Sequence, residues 1–210
     1  MGTLNKKMMY TEQQRTKRSI RHYIIPLLAF LLVTSIGVRL VLSLSSSPKA
    51  FTLRSAAFQP ESSIPPKFAK GKSLDDSISP PLQWSGIPAG TVNLALIVED
   101  PDAPDPIFPK MTWVHWVLYN LPPTIGSLPE DVDEPLMLLP IGAKQALNDW
   151  KVAGYVGPSP PIGRHRYYFK LTALDVVLPD LGPTATKAMV EEAFDGHILG
   201  QAVLMGTYEN

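Results

Sequence analysis

Twenty of the chain's 22 prolines fall between residues 60 and 183. Proline lacks the backbone N–H and clashes inside helices and central strands. That stretch therefore excludes long helices and calls for short strands joined by structured loops. The apolar pattern between the prolines agrees. VNLALIVE (92–99) is a near-continuous apolar run, read as a buried strand. In WVHWVLYN (113–120), Trp113, His115, Val117 and Tyr119 share one face, and Val114, Trp116 and Leu118 the other. Both faces are apolar, which places this strand between layers. HRYYFKLTAL (165–174) alternates with His165, Tyr167, Phe169 and Leu171 on one face, and QAVLMGTY (201–208) reads as a last strand. TATKAMVEEAF (184–194) has helical spacing, with Thr184 as N-cap and Gly196 as the stop. The expected fold is mostly β: an antiparallel, β-sandwich-like domain with one or two short helices.

The N-terminus has a different character. Residues 1–22 carry six Lys/Arg against one Glu, and an apolar stretch from Tyr23 to Leu44 follows, interrupted only by Arg39. Those 22 residues would span about 33 Å as a helix, enough to cross a bilayer core. Positive charge ahead of the span puts the N-terminus in the cytoplasm and the rest on the other side, periplasmic or extracellular. A single-pass transmembrane helix at residues 23–44 is expected. A cleaved signal peptide, which would give a secreted domain, stays open as the alternative. The expected organisation is residues 1–44 as basic tail plus anchor or signal, 45–55 as tether and 56–210 as the domain.

From residue 45 onward there are 12 Lys/Arg and 18 Asp/Glu, an acidic balance that argues against a nucleic-acid partner. No cysteine is present, so disulfides and thiol chemistry are excluded. No GxSxG elbow occurs, and Ser159 in GPSPP has no helix after it. The chain is read as a non-enzyme without cofactor or metal.

What remains is a polar constellation. EDPDAPDP (99–106) packs four acids and three prolines into eight positions directly after the first strand, so Asp100 and Asp102 are expected on a stiff loop. His115 sits between two tryptophans, and His165 follows the glycine- and proline-rich GYVGPSPPIGR. Two carboxylates and two imidazoles at strand ends make a convergent polar site. A carboxylate beside an imidazole raises its pKa and favours the cation, so His115 or His165 is expected as a charged donor to phosphate. The alternatives are an aspartate facing a ligand ammonium, or both aspartates capping loop N–H groups.

DPDAP, WVHW, GYVGPSPPIGRHRY and GHILGQAVLMGTY, in this order, resemble the phosphatidylethanolamine-binding protein family, in its shorter bacterial and archaeal Raf kinase inhibitor-like version. PPLQWSGIPAGTVNLALIVEDPDAP and NDW (148–150) agree, and the likeness runs from about Phe51 to Tyr208. It implies a β-sandwich-like fold with a small anion-binding cavity walled by Asp100, Asp102, His115, Pro161, His165 and Tyr167. The implied ligand is a phosphate-like group or phospholipid head group. The alternative is an inhibitor or regulator of a protein partner such as a protease or kinase, with a homodimer also open. Two features depart from the pattern: no ligand-gating C-terminal helix of the animal type follows Tyr208, and a membrane-directed segment precedes the domain.

Overall fold

The computed structural model describes residues 49–74, 76–132 and 142–210. The anchor or signal expected at residues 23–44 lies outside them. Among the described residues no helix is long and apolar enough to cross a membrane.

Two antiparallel sheets form the body. The larger has five strands in the order β6-β4-β3-β7-β8: β3 (Asn93–Ala103), β4 (Met111–Leu121), β6 (Lys144–Ala146), β7 (His165–Leu174) and β8 (Ile198–Tyr208). The smaller has the order β1-β2-β5, with β1 (Thr52–Ser55), β2 (Leu82–Ser85) and β5 (Ser127–Leu128). Thr52–Ser55, assigned to the tether by the sequence pattern, is thus a paired strand: Leu53 lies opposite Trp84 and adds its side chain to the core.

The main core lies between the sheets. Leu94, Leu96 and Val98 of β3, Trp116 and Leu118 of β4, and Tyr167, Phe169 and Leu171 of β7 meet Leu53, Leu82, Trp84 and Leu128 of the smaller sheet. Ala95 and Ile97, one residue out of phase on β3, face the other way. They pack under α1 (Lys187–Ala193) through Val190 and Phe194. This is why VNLALIV is apolar at every position: β3 is covered on both faces. The helix starts two residues later than its sequence pattern suggests. Thr186, not Thr184, is the N-cap, its side chain accepting from the Met189 N–H. Gly196, at φ +78°, allows the reversal into β8.

The β3–β4 pairing shifts register in three places, and two of them matter for the site. Val98 pairs with Trp116 but Glu99 pairs with Val114, so His115 is an extra residue on β4. Three residues further, Asp100 pairs with Trp113 and Ala103 with Met111, which leaves the extra residue on β3 within Asp100–Ala103. Bulges of this kind turn side chains away from strict alternation. The expectation that His115 shares a face with Val117 and Tyr119 therefore fails. Those two residues belong to the core beneath the helix, whereas His115 turns toward the end of the sandwich. Asp100 and Asp102, expected on a loop beyond the strand, sit within β3, which continues to Ala103 and ends at a cis Ala103–Pro104 bond.

Candidate functional site

At the end of the sandwich lies a pocket of about 280 Å³, whose walls include Asp100, Trp113, His115, Trp150, Pro161, His165 and Tyr167. Pockets for small organic ligands run from about 300 Å³ upward, so this one suits a head group rather than an acyl chain.

The floor is set by the segment after the NDW sequence. The Asn148 side chain accepts from the N–H groups of Trp150 (2.9 Å) and Val152 (3.3 Å) and donates to the Gly154 carbonyl at 3.0 Å. Asp149 accepts from the Val114 N–H at 2.8 Å, tying the same turn to β4. Trp150 is thereby held edge-on to the His115 ring, 5.0 Å between centroids, and to Trp113 at 5.3 Å. Gly157 follows, so close to the 3-10 turn at Pro66–Phe68 that a Cβ there would lie 2.2 Å from the Phe68 carbonyl oxygen. Only glycine permits that approach.

His115 is buried, and its Nδ1–H donates to the Val156 carbonyl at 2.5 Å. Burial pushes its pKa down to about 4, although the carbonyls of Val156 and Gly157 and the carboxylates of Asp100 and Asp149 pull the other way. At neutral pH the ring is uncharged. The expectation of His115 as a cationic donor is therefore corrected: desolvation outweighs the neighbouring acids.

Asp100 pairs with the other histidine. Its Oδ2 lies 2.7 Å from His165 Nδ1, and its Oδ1 accepts from the Asp102 N–H at 2.8 Å. His165 Nε2 faces the Ile162 carbonyl at 3.1 Å, so both ring nitrogens point at oxygens. The pair is buried at the wall, its hydrogen-bonding capacity turned on itself and on the loop.

Asp102 does not line the pocket. Arg166 holds it with its backbone N–H (2.9 Å), Nε (2.9 Å) and Nη2 (2.6 Å). The Arg166 guanidinium keeps the Asp102 carboxyl below the usual carboxylate range. Its role is to fix the Asp100–Ala103 bulge to β7, a positioning task. Asp100, His115, Pro161, His165 and Tyr167 are brought together; Asp102 stands behind them.

Two polar groups at the pocket have nothing to bond. The Tyr167 hydroxyl is buried without a hydrogen-bond partner, and so is the Trp113 indole N–H. Tyr167 packs edge-on to His115, 5.2 Å between centroids, and burial raises its pKa, so the hydroxyl keeps its proton. A buried unpaired donor costs about 1–3 kcal/mol, and such a group in a native structure calls for an explanation. Tyr167 packs against His115, whose Nε2 is not used by the bond to Val156.

Comparison with known proteins gives the family. Residues 54–209 match the family model described as phosphatidylethanolamine-binding protein. The chain belongs to the phosphatidylethanolamine-binding protein family. Among its relatives, a UPF0098 protein of Methanothermobacter thermautotrophicus is 46% identical over 156 residues, covering 74% of this chain and 97% of the relative. A UPF0098 protein of Chlamydia muridarum is 45% identical over 157 residues, covering 75% and 97%. Among solved structures, a phosphatidylethanolamine-binding protein homologue from Chlamydia trachomatis superposes with TM-score 0.67 at 43% identity, covering 78% of this chain and 99% of that one. E. coli YbcL, described as a member of the mammalian family, gives TM-score 0.68 at 30% identity, covering 77% and 99%.

Within this family fold, the sequence reading missed Trp113, Trp150, Asn148 and Arg166 as builders of the site. NDW was visible as a motif, yet nothing local says that Asn148 folds its turn back onto Trp150. Ser159 also lines the pocket, but it makes no hydrogen bond to either histidine.

Proposed function

We propose that this chain is an exported, membrane-anchored binding protein whose pocket takes a small phosphate-like anion, free or as a phospholipid head group. It binds this ligand without converting it. The observation that carries the reading is that Tyr167 and Trp113, two residues lining a pocket sized for a head group, each hold a buried, unpartnered donor, Oη and Nε1. An oxyanion accepts from both and relieves their desolvation. The membrane placement rests on the six-to-one basic bias before the apolar residues 23–44. Calorimetric titration of the detergent-solubilised full chain with methyl phosphate and glycerophosphoethanolamine tests it. Saturable one-to-one binding is expected; absence of heat and of thermal stabilisation with both would refute it.

A second reading, a regulator of a protein partner, draws support from the pocket's rim. Ile107 and Phe108, 75% and 71% exposed, follow Pro104, and Ile162, 58% exposed, follows Pro161. The two loops adjoin, since a Cβ at Gly163 would lie 3.1 Å from Pro106 Cγ. Exposed apolar side chains around a polar pocket fit a protein contact surface. A pull-down from envelope extract that is lost on Phe108→Asp separates this reading from the first.

A further inference from the structure

The chain enters its domain at one end of the sandwich and keeps its pocket at the other. The carbonyl oxygens of Lys49 and Ala50 run against Gly86, where a Cβ would lie 2.5 and 2.2 Å from them, and Phe51 lies beside Gly200 near the start of β8. Gly200 pairs with Ala173, whereas Tyr208, at the far end of β8, pairs with the pocket residue His165. The stretch of β7 from His165 to Ala173 measures about 26 Å as a strand.

Exposed apolar side chains gather at the entry end. Val177 is 63% exposed, Ile198 51%, Val92 47% and Leu199 39%. Three turns bring them together. The Val92 N–H donates to the Leu174 carbonyl at 2.9 Å, and Leu174 pairs with Ile198. The Asp175 N–H donates to the His197 carbonyl at 3.1 Å, and Val177 follows on the same turn. Leu199 Cδ1 lies 3.7 Å from the place a Cβ on Gly90 would take. Asp175 and His197, which stand among these side chains, are bonded to each other at 2.8 Å. Single exposed apolar side chains are ordinary, whereas a contiguous group marks a contact surface.

What covers this surface follows from the residues ahead of the domain. Leu44, the last residue of the apolar stretch, precedes Ala50 by six positions, at most about 20 Å of extended chain. A span ending at Leu44 holds the entry end close to the bilayer at high local concentration. The same tether is shorter than the ~26 Å needed to bring the pocket end down in its place.

Resting on the membrane-anchored reading above, we propose that the entry end of the sandwich is a bilayer-docking face. Val92, Val177, Ile198 and Leu199 enter the interfacial region of the membrane, and the pocket opens at the opposite end, toward water. Apolar area and not charge holds the face down, so anionic lipid should make no difference.

The chain has no cysteine, so one introduced at an exposed position carries a spin label alone. The test uses Val177→Cys, Ile198→Cys and, at the pocket rim, Phe108→Cys, each in the full chain reconstituted into phosphatidylcholine vesicles with and without anionic lipid. It reads the accessibility of each nitroxide to oxygen, which concentrates in the membrane, and to a water-soluble nickel chelate. Labels at 177 and 198 should favour oxygen and the label at 108 nickel, in both lipid compositions. Labels at 177 and 198 that favour nickel would overturn the proposal, as would a label at 108 that favours oxygen. Spin–spin broadening at 198 that vanishes on dilution with unlabelled chain would give the face to a second copy and overturn it as well. A chain that does not float with the vesicles would remove the anchor itself, and the docking with it.

Discussion

Replacing Tyr167 by phenylalanine should move stability and binding in opposite directions. The hydroxyl is buried and unpartnered in the unliganded protein, so the folded state bears its desolvation with no compensating bond. Such a group costs about 1–3 kcal/mol, and an apolar replacement of the same shape is neutral or stabilising. The ring keeps its place in the core beside Phe169 and against His115, so no cavity opens. The expected gain is about 1 kcal/mol, or about 2–4 °C in Tm for a domain of this size. The same hydroxyl, once a ligand oxygen accepts from it, makes a charge-assisted bond of about 1.5–3 kcal/mol. Its loss should weaken methyl phosphate binding by roughly ten- to a hundredfold. Urea denaturation and isothermal titration calorimetry on wild type and Tyr167→Phe provide both numbers. A variant that is destabilised yet binds normally would refute the reasoning, since the hydroxyl would then have a structural partner and no ligand.

Three further outcomes are expected. His115 has its pKa depressed to about 4 from 6.5, so the unfolded chain takes the proton first. Stability is therefore full above about 6.5 and falls by about 3 kcal/mol as the pH drops toward 4. In denaturation series across that range, His115→Gln should lack this component, and an unchanged slope would contradict the burial argument. Gly157→Ala drives a Cβ to within 2.2 Å of the Phe68 carbonyl and should cost about 1–3 kcal/mol of stability while loosening the pocket floor; wild-type Tm and affinity would contradict this. A periplasmic reporter fused after residue 50 should be active, and activity confined to a cytoplasmic reporter would remove the export reading.

The long strands were legible because their side chains alternate or stay apolar over eight or more residues. His165 and Tyr167 were correctly placed on one face for that reason, and β7 pairs with β8 along its length with a single irregularity near Leu174. The four-residue strands β1 and β2 are too short for a period to show, though Leu53, Leu82 and Trp84 are core residues. His115 was recognised but aimed along the wrong face, because the bulge that turns it depends on the β3–β4 register. Its charge state was misjudged for a related reason. Nearby acids are visible in a sequence, while the burial that outweighs them belongs to the tertiary structure. Asp102 looked equivalent to Asp100 two residues earlier. What separates them is Arg166, which leans from β7 onto one and not the other. The unpartnered state of Tyr167 and Trp113 is a property of the packed pocket and leaves no trace in residue order.

The central claim is that an oxyanion bonds the idle donors at the pocket wall, and the Trp113 indole N–H reports on it directly. Among the four tryptophans, Trp116 already donates to Gln145 at 2.6 Å, and Trp84, unpartnered like Trp113, lies in the sandwich core. In ¹H–¹⁵N spectra of the detergent-solubilised chain, methyl phosphate at pH 5.5 should move the Trp113 indole resonance downfield, saturably and with the calorimetric Kd. The Trp84 and Trp116 signals should stay in place. A Trp113 resonance unmoved at saturating ligand would contradict the account.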